Sequence, residues 1–310
     1  MNGKPGQDAA AQPAERELRE AIGALARQGS IETTARNPGE IDGYPFLVPK
    51  GSDVYAAWTP GMPAAHIVSV AGRLRRMGMN PVPHIAARKL PDAAAAAALL
   101  ARLRDEAGVT RVLLVAGDGQ AAFGPYASSL ALLETGLLEA HGIRGVGVAG
   151  YPEGHPQIPE AALWEALERK ADSARRRGIE LYLVAQFCFD GQAVLAWLRR
   201  LRARGIAAPV RVGVAGPATV RTLLNYGMRC GIGTSLRALP SRAVSLTRLL
   251  ARHGPEDVVY AVARAEAGLN IAGLHVFPFG GFAQSAQWLR DVAAGRFELN
   301  AAEDSFRIKD

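Results

Sequence analysis

Successive strand-like runs of this chain end in groups that can move protons or hold a ligand: Glu32, Thr59, His84, Asp118, Tyr151 with His155, and Gln186. The densest cluster is Gly150-Tyr151-Pro152-Glu153-Gly154-His155-Pro156. It follows the short apolar run Gly145–Ala149 and precedes a helical pattern from Glu160 to Arg177. An aromatic ring, a carboxylate and an imidazole thus share a strand-to-helix loop, and two prolines stiffen it by fixing φ. Such a loop is either a ligand-binding rim or a Pro/Gly turn with an incidental histidine. The recurrence of polar strand ends along the chain favours the rim.

Glu32 lies in the apolar, β-branched run Ser30-Ile-Glu-Thr-Thr34. A carboxylate there is costly to bury unless paired or neutral. Burial is expected to raise its pKa toward the range of a general acid or base. Asp118 sits between Gly117 and Gly119, which permit close backbone approach to a ligand. His84, in Pro81-Val-Pro-His84-Ile-Ala86, is either a ligand-contacting group or a satisfied interior histidine. Arg169-Lys170 are either exposed helix cations or a binding site for phosphate or diphosphate. Cys188, between Phe187 and Phe189, reads as packing. No HExxH pair or Gly-x-Ser-x-Gly elbow occurs, so neither a catalytic metal nor a serine nucleophile is expected.

These groups need a scaffold that brings strand ends together. Strand patterns fall at Ser30–Thr34, Asp53–Trp58, Pro81–Ala86, Arg111–Ala116, Arg144–Ala149, Glu180–Phe187, Pro209–Ala215 and Gly273–Phe277. Helical patterns separate them at Ala64–Arg76, Asp92–Glu106, Tyr126–His141, Glu160–Arg177, Gln192–Arg204, Thr219–Tyr226, Ser241–His253 and Pro255–Ala267, and one more covers Phe282–Ala294. Strands alternating with helices imply right-handed βαβ units and a parallel sheet. Eight units predict an α/β fold, a closed (β/α)8 TIM barrel, with an extra N-terminal helix over Glu15–Gln28. The alternative, an open doubly wound sheet, lacks its Gly-x-Gly-x-x-Gly turn; Gly145, Gly147 and Gly150 fall within a strand. Residues 1–13 read as a disordered tail, 14–298 as one catalytic barrel and 299–310 as a C-terminal tail.

Composition narrows the function classes. Of 310 residues, 49% are hydrophobic, enough for a large core. No apolar run of membrane-spanning length and no secretion signal is read, and two cysteines outside any CxxC pair suit a reducing cytoplasm. The formal charge is +7, much of it on helix faces. Solvation explains most of these cations, and attraction of an anionic cofactor or polycarboxylate is the functional alternative. With aromatics at 6% and no basic–aromatic interleaving, nucleic acid is not an expected partner. A homo-oligomer is compatible with the sequence.

Taken in order, Pro83-His84, Gly117-Asp118, Tyr126-Ala127-Ser128, Tyr151–Pro156, Lys170 and Gln186-Phe-Cys-Phe-Asp190 resemble the flavin-dependent 5,10-methylenetetrahydrofolate reductase family of bacteria, from about Ser30 to Trp288. The resemblance implies FAD as cofactor, NAD(P)H as co-substrate and a folate substrate. It implies that Glu32 exchanges a proton with the pterin and that Asp118 lies beside the flavin ring and faces the folate. Gln186 matches the glutamine contacting folate and nicotinamide. Thr59, His84, Gly117, Tyr126, Ala127, Tyr151, His155, Arg169 and Lys170 match positions along the FAD. Glu32, Asp118 and Gln186 are therefore the expected catalytic residues, with Gln186 and Val220 on the substrate side.

The chain also departs from the family pattern. Ala116 stands where the family carries an arginine, Leu163 where it carries an acid, Val220 where it carries a phenylalanine, and Pro278-Phe279-Gly280-Gly281 where it carries Thr-Leu-Asn-Arg. The flavin half is better kept than the folate half. The resemblance then points to a divergent member, oxidising 5-methyltetrahydrofolate during demethylation of methylated compounds. Two further readings stay open: direct hydride transfer from nicotinamide to folate without flavin, and a non-redox pterin-binding barrel partnering a methyltransferase.

Overall fold

The computed structural model describes residues 5–34, 38–117, 121–230 and 252–309, with backbone alone for 5–12, 38–40, 229, 230 and 252. Eight parallel strands close into a barrel: β1 (Ser30–Thr33), β2 (Asp53–Ala56), β3 (Asn80–Ala86), β4 (Arg111–Val115), β5 (Gly145–Gly150), β6 (Glu180–Ala185), β7 (Val210–Ala215) and β8 (Ile271–Phe277). They pair in chain order and β8 returns to β1 through Ser30↔His275 and Ile31↔Val276. The protein is a (β/α)8 TIM barrel. Every strand pattern expected from the sequence forms one of its staves.

The helices follow their local chemistry. Helix α1 spans Pro5–Arg27, α2 Ala64–Arg76, α3 Ala93–Ala107, α4 Ser129–Leu133, α5 Leu137–Ala140, α6 Glu160–Arg177, α7 Gly191–Ala203, α8 Val220–Cys230, α9 Glu256–Ala263 and α10 Phe282–Ala293. Asp92 caps α3 by accepting from the Ala95 N–H at 2.7 Å, and Gly108 ends that helix in the left-handed region. Two residues of the family landmarks are helix caps. Ser128 accepts from Ala131 N–H at the start of α4, and Asp190 accepts from Gln192 N–H at the start of α7. The expected helix Tyr126–His141 is two short helices, divided where Gly136 takes φ +79°. The expected helix Ser241–His253 lies largely outside the described residues.

Both ends of the chain correct the expected tails. Residues 5–13 continue α1 rather than forming a disordered tail, and Pro13 sits within that helix. Within the expected tail 299–310, the described residues build on an antiparallel hairpin, Phe297–Asn300 with Ser305–Ile308. Its Phe297 and Phe306 are buried, and Arg19 of α1 donates to the carbonyls of Phe297 (2.8 Å) and Gly295 (3.0 Å). Burial of two aromatic rings offsets the entropy of ordering a short polar segment.

The barrel interior is layered. At the N-terminal end Asp53 accepts from Arg111 (2.5 Å) and Arg211 (3.0 Å). Above it, Tyr55 donates to Tyr182 at 3.3 Å, beside Val82, Leu113 and Val184. The glycines of β5 make room for this layer. A Cβ at Gly147 would come within 2.6 Å of the Tyr182 ring, and one at Gly145 within 2.8 Å of Arg111. These glycines therefore serve packing of the interior, not dinucleotide binding.

Candidate functional site

Two constellations occupy the C-terminal end of the barrel. The first joins β1, β3 and β8. On β1 the pleat points Ser30 and Glu32 to the same face. Glu32 Oε2 lies 3.3 Å from His84 Nε2 and 3.7 Å from His275 Nε2. Neither nitrogen makes a hydrogen bond of good geometry, and both are sealed from solvent. The Ser30 hydroxyl meets His275 Nδ1 at 2.9 Å. The same hydroxyl also lies 3.3 Å from the Leu274 carbonyl, so its one proton goes either to that carbonyl, with His275 Nδ1 donating, or to Nδ1, with the His275 proton on Nε2. In the second arrangement Ser30, His275 and Glu32 form a chain ending on one carboxylate oxygen.

The electrostatics reverse the expected pKa of Glu32. Burial pushes the carboxyl up, but the His84 and His275 imidazoles outweigh it and hold the group down at about 2. Burial pushes His275 below its ordinary value, against the pull of Glu32. Glu32 is therefore an ionised base at rest rather than an acid poised near neutrality.

The same shifts set a pH dependence of stability. Glu32 contributes stability that is fully present above its unfolded value of 4.5 and is lost as the pH falls toward about 2. The unfolded chain protonates His275 below 6.5 whereas the folded chain resists, so stability also falls below that pH. Thermal melts should show Tm declining on acidification from about pH 6.5. His275→Asn should flatten the upper part of the decline, and a Tm level between roughly pH 7 and 5 would refute the assignment.

The second constellation is a cavity of about 640 Å³ over β4, β5, the first half of α6 and the Trp197–Arg200 turn of α7. Its wall includes Arg88, Ala116, Tyr151, His155, Lys170 and Arg200. The Tyr151 and His155 rings meet edge to face at 5.3 Å. Burial raises the Tyr151 hydroxyl and lowers the His155 imidazole from their ordinary values. Burial also lowers the Lys170 ammonium, which makes no ion pair with an acid among the described residues. Arg200, by contrast, pairs with Glu160 at 2.5 Å.

The structure thus unites some expected residues and not others. Glu32 and His84 come together. Tyr151, His155 and Lys170 share the cavity, together with Ala116 and Leu163, two of the departure positions. Arg169, expected along the cofactor, is exposed on α6 outside the cavity wall. Thr59 accepts from Lys89 Nζ through its carbonyl (2.6 Å), and Ala127 from Arg88 Nε (2.8 Å). Tyr126 and Val220 are buried. Gly117, two residues past the end of β4, takes φ +93°, and a Cβ there would meet the Ala86 methyl at 3.1 Å. Gln186 is half-buried just beyond β6, its N–H donating to the Gly150 carbonyl at 2.7 Å. Gly213 makes that position possible, since a Cβ there would fall 2.0 Å from the Ala185 carbonyl. Asp118 lies outside the described residues.

Sequence reasoning missed His275 and Ser30. The available signal was a lone histidine amid the apolar residues of β8, and a serine two residues before Glu32. It also missed the aromatic wall formed by Phe187, Phe277, Phe279 and Tyr226, with Tyr226 stacked on Phe279 at 4.1 Å. Phe277 carries that wall to within 4.8 Å of the His275 ring.

No helix among the described residues is long and apolar enough to cross a membrane. No protein-family model matches the chain. Among solved structures it is similar to a D-hydantoinase, at 13% identity and TM-score 0.34, over 64% of this chain and 41% of that one. It is also similar to dihydropyrimidinase from Brevibacillus agri NCHU1002, at 12% identity and TM-score 0.37, over 60% of this chain and 45% of that one. The chain spans less than half the length of either, and likenesses this distant say nothing about its chemistry.

Proposed function

We propose that the protein is a flavin-dependent oxidoreductase that interconverts 5,10-methylenetetrahydrofolate and 5-methyltetrahydrofolate with NAD(P)H as co-substrate. The observation that carries this reading is an ionised Glu32 held by two imidazoles inside the end of a barrel whose rim also bears a cavity walled by Arg88, Lys170 and Arg200 together with Glu153 and Glu160. The residues present fit a flavin nucleotide. Lys170 offers a largely desolvated ammonium with no acidic partner among the described residues, which suits a phosphate group. The cavity volume lies within the range of cofactor sites. FAD, when bound, would relay hydride between nicotinamide and folate.

Tyr151, His155 and Lys170 would hold the cofactor's anionic part, and Gln186 would orient the second ring system from the end of β6. Opening or closing the one-carbon bridge requires a proton at the bridge nitrogen. An ionised Glu32 accepts that proton as the bridge closes, the step that completes oxidation of the methyl form. An ionised carboxyl is in the protonation state that this oxidative step needs, as in demethylation of methylated compounds.

Ala116 in the cavity wall favours a second reading, flavin-free hydride transfer from nicotinamide to folate, because it supplies no cation there. Absorbance of the purified protein separates the two, since bound flavin gives a band near ~450 nm. Anaerobic addition of NADH or NADPH should bleach that band, and methylenetetrahydrofolate should restore it. A colourless protein that nonetheless turns over folate would transfer support to the flavin-free reading. Lys170→Met is expected to weaken FAD binding by about 1.5–3 kcal/mol, a charge-assisted contact, or roughly 10- to 100-fold in Kd. Titration of apoprotein with FAD reads this directly.

A further inference from the structure

We propose that His84 belongs to the proton machinery rather than to the cofactor shell, and exchanges with solvent the proton that Glu32 handles. The proposal rests on the reading of Glu32 as proton carrier and adds a route for that proton. Its geometry is asymmetric. His84 and His275 both aim Nε2 at Glu32 Oε2, at 3.3 Å and 3.7 Å. His275 is fully enclosed, whereas the side chains of His84 and Glu32 keep 13% and 16% of their surface. The Nδ1 of His275 is engaged by Ser30. One imidazole is thus fixed and sealed, and the other stands at the open side of the carboxylate.

The chemistry needs such a partner. A carboxylate as acidic as Glu32 can take a proton from a substrate nitrogen but retains it poorly near neutral pH. A neutral imidazole in contact with it can retain that proton. In the relay, the N–H bond of the substrate breaks and its electron pair stays with nitrogen. The proton bonds to Glu32 Oε2, passes to His84 Nε2, and leaves from the imidazolium to water. In the reverse direction His84 takes a proton from water and Glu32 delivers it. The groups facing His84 are Glu32 from β1, the Tyr55 ring from β2 at 6.4 Å edge to face, and, across Glu32, His275 from β8. Leu113 is its strand neighbour on β4.

The test does not require turnover. Protein labelled with 15N in histidine is titrated by NMR, with the His84 resonance assigned by its loss in His84→Asn. In Glu32→Gln the His84 midpoint should fall, the effect of removing an opposite charge within contact distance. In His275→Asn it should move less than in Glu32→Gln. Glu32→Asp, which keeps the charge but retracts it, should give a smaller fall and serves if the glutamine variant does not fold. An unchanged His84 midpoint in the Glu32 variants overturns the proposal, whatever the substrate proves to be. In turnover assays, external imidazole should partly restore His84→Ala and leave His275→Ala unrescued, because only the first site opens to solvent. Equal rescue of both, or of neither, counts against the relay even if folate turnover is established.

Discussion

Under the proposed function, Glu32→Gln is expected to abolish most folate turnover while leaving the cofactor bound. Positioned proton transfer contributes about 10²- to 10⁴-fold, so kcat should fall by roughly that factor. Glutamine is isosteric and keeps an oxygen for one imidazole, so the fold should persist at a cost of about 1–3 kcal/mol for the changed buried contacts. Glu32 does not line the cavity, so flavin absorbance and reduction by nicotinamide should survive. Stopped-flow separation of the two half-reactions reads the difference. A folate half-reaction within about threefold of the parent would remove Glu32 from catalysis.

The second large effect is on stability. Asp53→Ala removes the acceptor shared by Arg111 and Arg211 at the N-terminal end of the barrel. Breaking a buried pair leaves uncompensated charge and costs about 3–5 kcal/mol. Asp53 and Arg211 are well enclosed, but Arg111 keeps 34% of its side-chain surface and recovers part of its solvation. The expected loss is therefore at the low end, about 3 kcal/mol, or roughly 5 °C in Tm. Asp53→Asn retains an oxygen for one arginine and should cost less. Urea melts of the three proteins provide the measurement, and a loss under about 1 kcal/mol for the alanine variant would show that solvent replaces the carboxylate. Since this end of a TIM barrel serves stability rather than chemistry, the variant should keep its kcat below the melting transition.

The two effects divide the interior by height. Asp53, Tyr55 and Glu32 all point inward, yet the first is neutralised by guanidinium groups, the second hydrogen-bonds as a neutral phenol to a tyrosine hydroxyl, and the third faces imidazoles. Guanidinium groups stay protonated at all working pH values, so the lower layer is electrostatically fixed. Imidazoles titrate near neutrality, so the upper layer can exchange protons. Location and partner chemistry together make one buried acid structural and the other a candidate catalyst.

The eight-strand alternation was legible in the sequence because each strand is a short apolar run bounded by turn residues, and burial on both faces demands such runs. Glu32 and the Tyr151–His155 loop were legible because a carboxylate in an apolar strand and an imidazole on a proline-stiffened loop violate local expectation. The role of His84 was not. Its partner Glu32 lies some fifty residues away, and only closure of the barrel brings β1, β3 and β8 within contact distance. The direction of the Glu32 shift followed from the same closure, because a sequence shows that a group is buried but not which charges share its burial. The chain ends were misread for a related reason. Local periodicity is weak in residues 5–13 and 299–308, and the contacts that order Phe297 and Phe306 come from helices distant in sequence. Strand pattern and unusual polar strand ends were thus set by residue order alone, whereas the pairing of Glu32 with two histidines was decided by the geometry of a closed sheet.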